Sequence, residues 1–201
     1  MRISLSRKLV QGLAVGAAVA TTAVLGGAGV GHAASAQLTL VYNCPFPLIG
    51  SQDMSVKIVV GNLPASGTVG VPMPATTVTA TATVPATATL GLALVGAKTV
   101  EGTAVASTSV DNAGTVVPVT ANLTVAKTPV PSSGAFNTVA TGGTPPLTLT
   151  KAGKTTITVG NFSTTLTPKK ADGSTTGLGT FTSACTLKPG QVTKLYEFTV
   201  S

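Results

Sequence analysis

The chain has 201 residues, with 12 Lys and Arg against 5 Asp and Glu, no Trp and a single His. The basic excess is not a nucleic-acid footprint: three of the cations lie in the first eight residues, and the other lysines are scattered, without arginine and with few aromatics between them. The one histidine is His32, so everything after it lacks the imidazole of Ser-His-Asp and Cys-His machinery and of the usual zinc sites.

Arg2, Arg7 and Lys8 precede an uncharged run from Leu9 to Val30, and the small residues Gly31-His32-Ala33-Ala34-Ser35-Ala36 come next. A basic n-region, an apolar h-region and an A-x-A-like site in that order predict a secretory signal peptide over 1–36. Cleavage is expected before Gln37, with Ala34 as the rival first residue. An uncleaved anchor is the weaker reading, because Gly and Ala make the run only mildly apolar. Residues 37–201 then form one domain by length, carrying nine Lys and five acids, a net charge of +4. No later segment has the length and apolarity of a membrane span. The expected location is extracellular, in the medium or on the cell wall.

Strand patterns dominate residues 37–201. Leu38, Leu40 and Tyr42 alternate with Thr39 and Val41, and Met54, Val56, Ile58 and Val60 with Ser55, Lys57 and Val59. Val78, Ala80, Ala82 and Val84 alternate with three threonines, and Pro85 then introduces a short helix over 86–95. Val117 to Val125, Ile157 to Leu166 (through Gly160-Asn161) and Leu195 to Val200 repeat the period of two. Turn sequences separate these runs, among them Gly61-Asn62, Asp111-Asn112-Ala113-Gly114, Asp172-Gly173 and Pro189-Gly190. Many short strands punctuated in this way predict an all-β sandwich or barrel. A boundary near Pro129–Gly143 would divide it into two small units, but a bridge between distant cysteines favours one domain.

That bridge is Cys44 with Cys185, the only cysteines. In an oxidising compartment such a pair is expected to be joined, which leaves no thiolate nucleophile. Neither S-x-x-K nor G-x-S-x-G nor a phosphate-cradling G-x-x-x-x-G-K occurs after the leader. Two carboxylates could still hydrolyse a glycosidic bond. However, Asp111 and Asp172 sit in turn sequences, Glu197 alternates outward from Tyr196 and Phe198, and Glu101 opens a strand beside Gly102. Calcium would need more clustered oxygen ligands than these turns offer. No catalytic, cofactor or metal site is expected. Asn122-Leu123-Thr124 and Asn161-Phe162-Ser163 are glycosylation sequons of a kind that a Thr-rich chain produces by chance.

The runs Leu40-Val41-Tyr42-Asn43-Cys44-Pro45-Phe46-Pro47-Leu48-Ile49-Gly50, Val100-Glu101-Gly102-Thr103-Ala104 and Cys185-Thr186-Leu187-Lys188-Pro189-Gly190-Gln191 resemble a family of secreted actinobacterial proteins, a domain of unknown function. The resemblance implies export and an immunoglobulin-like antiparallel β-sandwich with Cys44 and Cys185 as its bridge, and it carries over no catalytic residue. The expected function is that of a secreted or cell-surface, non-enzymatic protein of structural or adhesive type, with a cell-wall polymer or another surface protein as partner. The alternative is a binding module for polysaccharide or wall polymer. A two-carboxylate glycoside hydrolase ranks third.

Overall fold

Threonine and serine alternating with Val, Leu and Ala give the chain one apolar and one polar face for most of its length, and the backbone takes up strands accordingly. The structure, a computed structural model, describes residues 33–201. The expected leader lies outside the described residues up to His32. Its last three positions, Ala34, Ser35 and Ala36, begin the first strand. The described residues belong to one compact unit.

In chain order the strands are β1 (Ala34–Phe46), β2 (Gly50–Leu63), β3 (Ser66–Gly67), β4 (Pro72–Met73), β5 (Thr77–Val84), β6 (Thr99–Asn112), β7 (Thr115–Pro129), β8 (Phe136–Gly143), β9 (Leu147–Thr148), β10 (Gly153–Lys169), β11 (Phe181–Leu187) and β12 (Lys194–Val200). Helix α1 (Ala86–Leu94) lies directly after β5. Pro85 is its N-cap in extended conformation, and the Pro85 carbonyl accepts the amides of Ala88 and Thr89. Gly96, at φ 73°, ends the helix in a left-handed turn in which the Ala97 amide reaches back to the Leu92 carbonyl.

The chain is all-β with one short helix, but its long strands do not divide into the two facing sheets of a sandwich. Antiparallel pairing runs through β11, β1, β2, β5, β8, β7, β6 and β10, and β10 pairs again with β11. The result is a closed eight-stranded barrel, which corrects the expectation of an immunoglobulin-like sandwich. Closure depends on β10. Its first half, Gly153–Thr158, pairs with β12, and its second half, Phe162–Leu166, pairs with β11. Between the halves a bulge at Gly160-Asn161 shifts the register against β6. Bulges of this kind bend a strand and sharpen its twist, and the hand-over from β12 to β11 carries the sheet round to β1. The Pro129–Gly143 region is no boundary either, because β8 lies inside the ring between β5 and β7.

The registers define two ends. Phe46, Val84, Thr99, Pro129, Phe136 and Lys169 share the end that carries α1. The opposite end is plugged by the two-stranded β4–β9 sheet, whose Met73 and Leu147 pack on a small core of Val110, Val119, Leu149, Phe198 and Val200. The main core is the barrel interior, with Leu40, Tyr42, Val56, Ile58, Leu123 and Val159 among its buried residues. Outside, β5 shows four threonines, Thr77, Thr79, Thr81 and Thr83. That is the reverse of a membrane-spanning barrel, whose outer band is apolar. No described helix is long and apolar enough to cross a membrane.

The barrel lumen as candidate functional site

An eight-stranded barrel encloses a space that ordinary core side chains just fill. Here many inward positions carry alanine. β5 turns Ala80 and Ala82 inward, β6 Ala104 and Ala106, β7 Ala121 and β8 Ala140. A methyl group reaches little of the interior, and a cavity of about 160 Å³ remains. One liquid water occupies roughly 30 Å³, and native interiors hold few voids larger than that. Phe46, Phe136 and Leu92 of α1 line the lumen towards the helix end, and Pro64, Met73 and Pro145 line it towards the plug.

No charged side chain lines this space. Its few polar groups are mostly engaged. The Tyr42 hydroxyl donates to the Gly160 carbonyl at the bulge, 3.1 Å away, and its ring meets Phe162 edge to face at 4.7 Å. Burial pushes the Tyr42 hydroxyl up to about 12, so it stays neutral and keeps its proton for that bond. Ser183 donates to the Pro45 carbonyl at 2.7 Å. Thr76 and Thr144 bond each other at 2.9 Å near the plug. Thr108, Thr138 and Thr164 add hydroxyls to an otherwise hydrocarbon wall. Such a lining suits a small, neutral, apolar molecule and offers nothing to balance a buried charge.

Cys44 and Cys185 form a disulfide. It lies on the β1–β11 seam, one step beyond the register pairs Tyr42–Leu187 and Asn43–Thr186. The ladder has only those two pairs. Side chains extend it: the Gln191 amide group accepts from the Val41 amide at 2.7 Å and donates to the Val41 carbonyl at 2.8 Å, while Asn161 accepts the Leu187 amide at 2.8 Å. The motif residues Tyr42, Cys44, Cys185 and Gln191 therefore gather where the barrel closes.

The five acids lie on the outer surface. Asp111 accepts the Gly114 amide in the β6–β7 turn, and Asp172 accepts the Ser174 amide and hydroxyl. Hydrogen bonds from Ser174 hold Asp172 below the usual carboxylate range. Glu101 is held low by Lys169, Asp53 by Lys188 and Asn43, and Glu197 by Lys154 and Lys194. By register Asp111 and Glu197 flank Thr156 of β10 from either side, so two strand spacings, about 10 Å, separate their backbones. Glu197 is tied to two lysines and ionised, which is the wrong state for a proton donor. Among the described residues no group of three or more His, Cys, Asp or Glu stands close enough to hold a metal ion. Both sequon asparagines are exposed, and Asn161 already serves the seam.

Sequence reasoning missed the lumen. Its signal was the alternation of Ala with Thr, Val and Ser along β5 and in β6, which identifies strands but shows an underfilled interior only once the ring is known to close. No curated protein and no solved structure matches the chain. A family model does match it over residues 41–196, a span that includes all eight strands of the barrel in whole or part. The chain belongs to a family of unknown function (DUF6801).

Proposed function

We propose that this protein works outside the cell as a non-enzymatic barrel that binds one small, neutral, apolar molecule, or the apolar end of a larger one, in its lumen. The cavity carries the reading. Empty volume costs roughly 24 cal/mol per Å³ in a protein core, so about 160 Å³ forgoes about 4 kcal/mol. Replacing alanines with larger residues would recover much of it. A purely structural or adhesive body gains nothing from the void, whereas a binding site requires it. An engineered apolar cavity of about 150 Å³ takes up benzene or xenon and stays dry, which sets the scale of the ligand.

The other readings have less behind them. A polysaccharide platform calls for exposed aromatics, and every Phe and Tyr is buried or half-buried. A two-carboxylate hydrolase calls for a facing pair with one raised acid, and four of the five acids are held low in surface contacts. Export rests on the leader pattern and fits the disulfide. The register favours cleavage before Ala34, since Ala34 and Ala36 pair with Leu63 and Val60 of β2 and would be lost by cleavage before Gln37. An actinobacterial origin rests on the motif resemblance alone.

The test is a thermal-shift titration of the chain beginning at Ala34, which contains every element of the barrel. Benzene at about 100 times its Kd is expected to raise Tm by roughly 5–10 °C, from the 2.7 kcal/mol that such saturation supplies. Ala82→Leu and, separately, Ala104→Val should shrink the lumen and reduce that shift while the protein stays folded. If neutral apolar probes cause no shift, or if both variants respond like the parent, the lumen is not a binding site.

A further inference from the structure

The two ends of the lumen are built differently. The far end is closed by a plug with its own core. At the helix end Phe46, Phe136 and Leu92 of α1 line the lumen, and α1 carries no charge from Ala86 to Leu94. Leu92 of this helix lines the lumen, while Leu90 and Leu94 face solvent, 54% and 83% exposed. Beside them is the β1–β2 hairpin tip, where Leu48 is 68% exposed. Leu48, Ile49, Ala88, Gly91 and Leu178 line one small crevice, so tip and helix form a continuous surface. Leu48 also has φ 73°, a left-handed conformation unfavourable for a bulky side chain.

A helix apolar on both faces suits a site between two apolar phases. One phase here is the lumen. The charges at this end indicate the other. Lys98, Lys127 and Lys170 lie at or near the ends of β6, β7 and β10 on the helix end of the barrel, are exposed, and have no ion-pair partner among the described residues. Lys169 neutralises Glu101, which leaves Asp172 as the acid beside Lys170. Exposed leucines and a net excess of lysine at one barrel end are the two signals that hold a protein reversibly on an anionic bilayer.

We infer that the α1 end docks on an anionic lipid surface, and that the lumen exchanges its apolar occupant with that surface past α1. This rests on the lumen reading for the cargo, but the docking is separately measurable. The chain beginning at Ala34 is mixed with vesicles of phosphatidylcholine alone or with one quarter phosphatidylglycerol, and bound protein is read by flotation. Binding to the phosphatidylglycerol vesicles is expected. Half-molar salt should weaken it, because the Debye length falls to a few ångströms. Leu90→Ser with Leu94→Ser should reduce it by tenfold or more, from the apolar burial lost at two leucines, and should leave the benzene-induced thermal shift unchanged.

Docking is overturned if the parent stays with the aqueous phase, if the double variant floats as well as the parent, or if sedimentation shows the patch covered by a second copy of the chain. A normal thermal shift with no flotation overturns docking and leaves the lumen reading intact. Flotation with no thermal shift overturns the lumen reading and retains docking.

Discussion

At Cys44 and Cys185 a covalent bond stands where the hydrogen-bonded ladder is shortest. The β1–β11 seam has two register pairs, and the disulfide, Gln191 and Asn161 supply the rest. The cysteines are 141 residues apart, and cross-linking a loop that long removes roughly 5 kcal/mol of chain entropy from the unfolded state in the loop-closure model. Reduction should lower Tm by about 10–20 °C, since about 1 kcal/mol moves a domain of this size by 2–4 °C. A melt in reductant, compared with one without, measures it; an unchanged Tm would mean that the seam holds without its bond. This residue-level feature was legible in the sequence, because only two cysteines are present and the leader pattern predicts an oxidising compartment. The inward alanines were not. Ala82 and Ala104 read as ordinary small residues of a strand until the far wall of the barrel fails to reach them.

Among the elements, strands with a full set of branched side chains were the easiest to read. β2 and β5 keep their expected alternation with ends extended by a few residues, and α1 occupies the span that Pro85 introduces. β8 was missed. Its sequence Phe136–Gly143 ends in two glycines, which read as a loop. In the barrel those glycines let strands approach closely: a Cβ at Gly142 would collide with the Asn122 carbonyl of β7. Local propensity cannot show this, because the requirement comes from a neighbour distant in sequence. Gly142→Ala should therefore cost about 1–3 kcal/mol through forced backbone movement, seen as a lower midpoint in urea with an unchanged slope. A midpoint equal to the parent's would mean that β7 and β8 have slack at this crossing.

At the scale of the whole molecule, the sequence could not separate sandwich from barrel. Both give short alternating strands, and the choice lies in whether the two edges of the sheet meet. Here β10 decides it by passing from β12 to β11 across the Gly160-Asn161 bulge, and Tyr42 fixes that bulge from inside through the Gly160 carbonyl. Closure turns a row of alanines into a cavity, and the cavity turns a structural domain into a candidate carrier. The most direct measurement of that claim is a crystal structure of the chain beginning at Ala34 under xenon pressure. The expected result is xenon inside the barrel among Ala82, Ala104 and Ala121, with the surrounding strands in place. Ordered water in that space, or an inner wall collapsed so that no cavity remains, would contradict it.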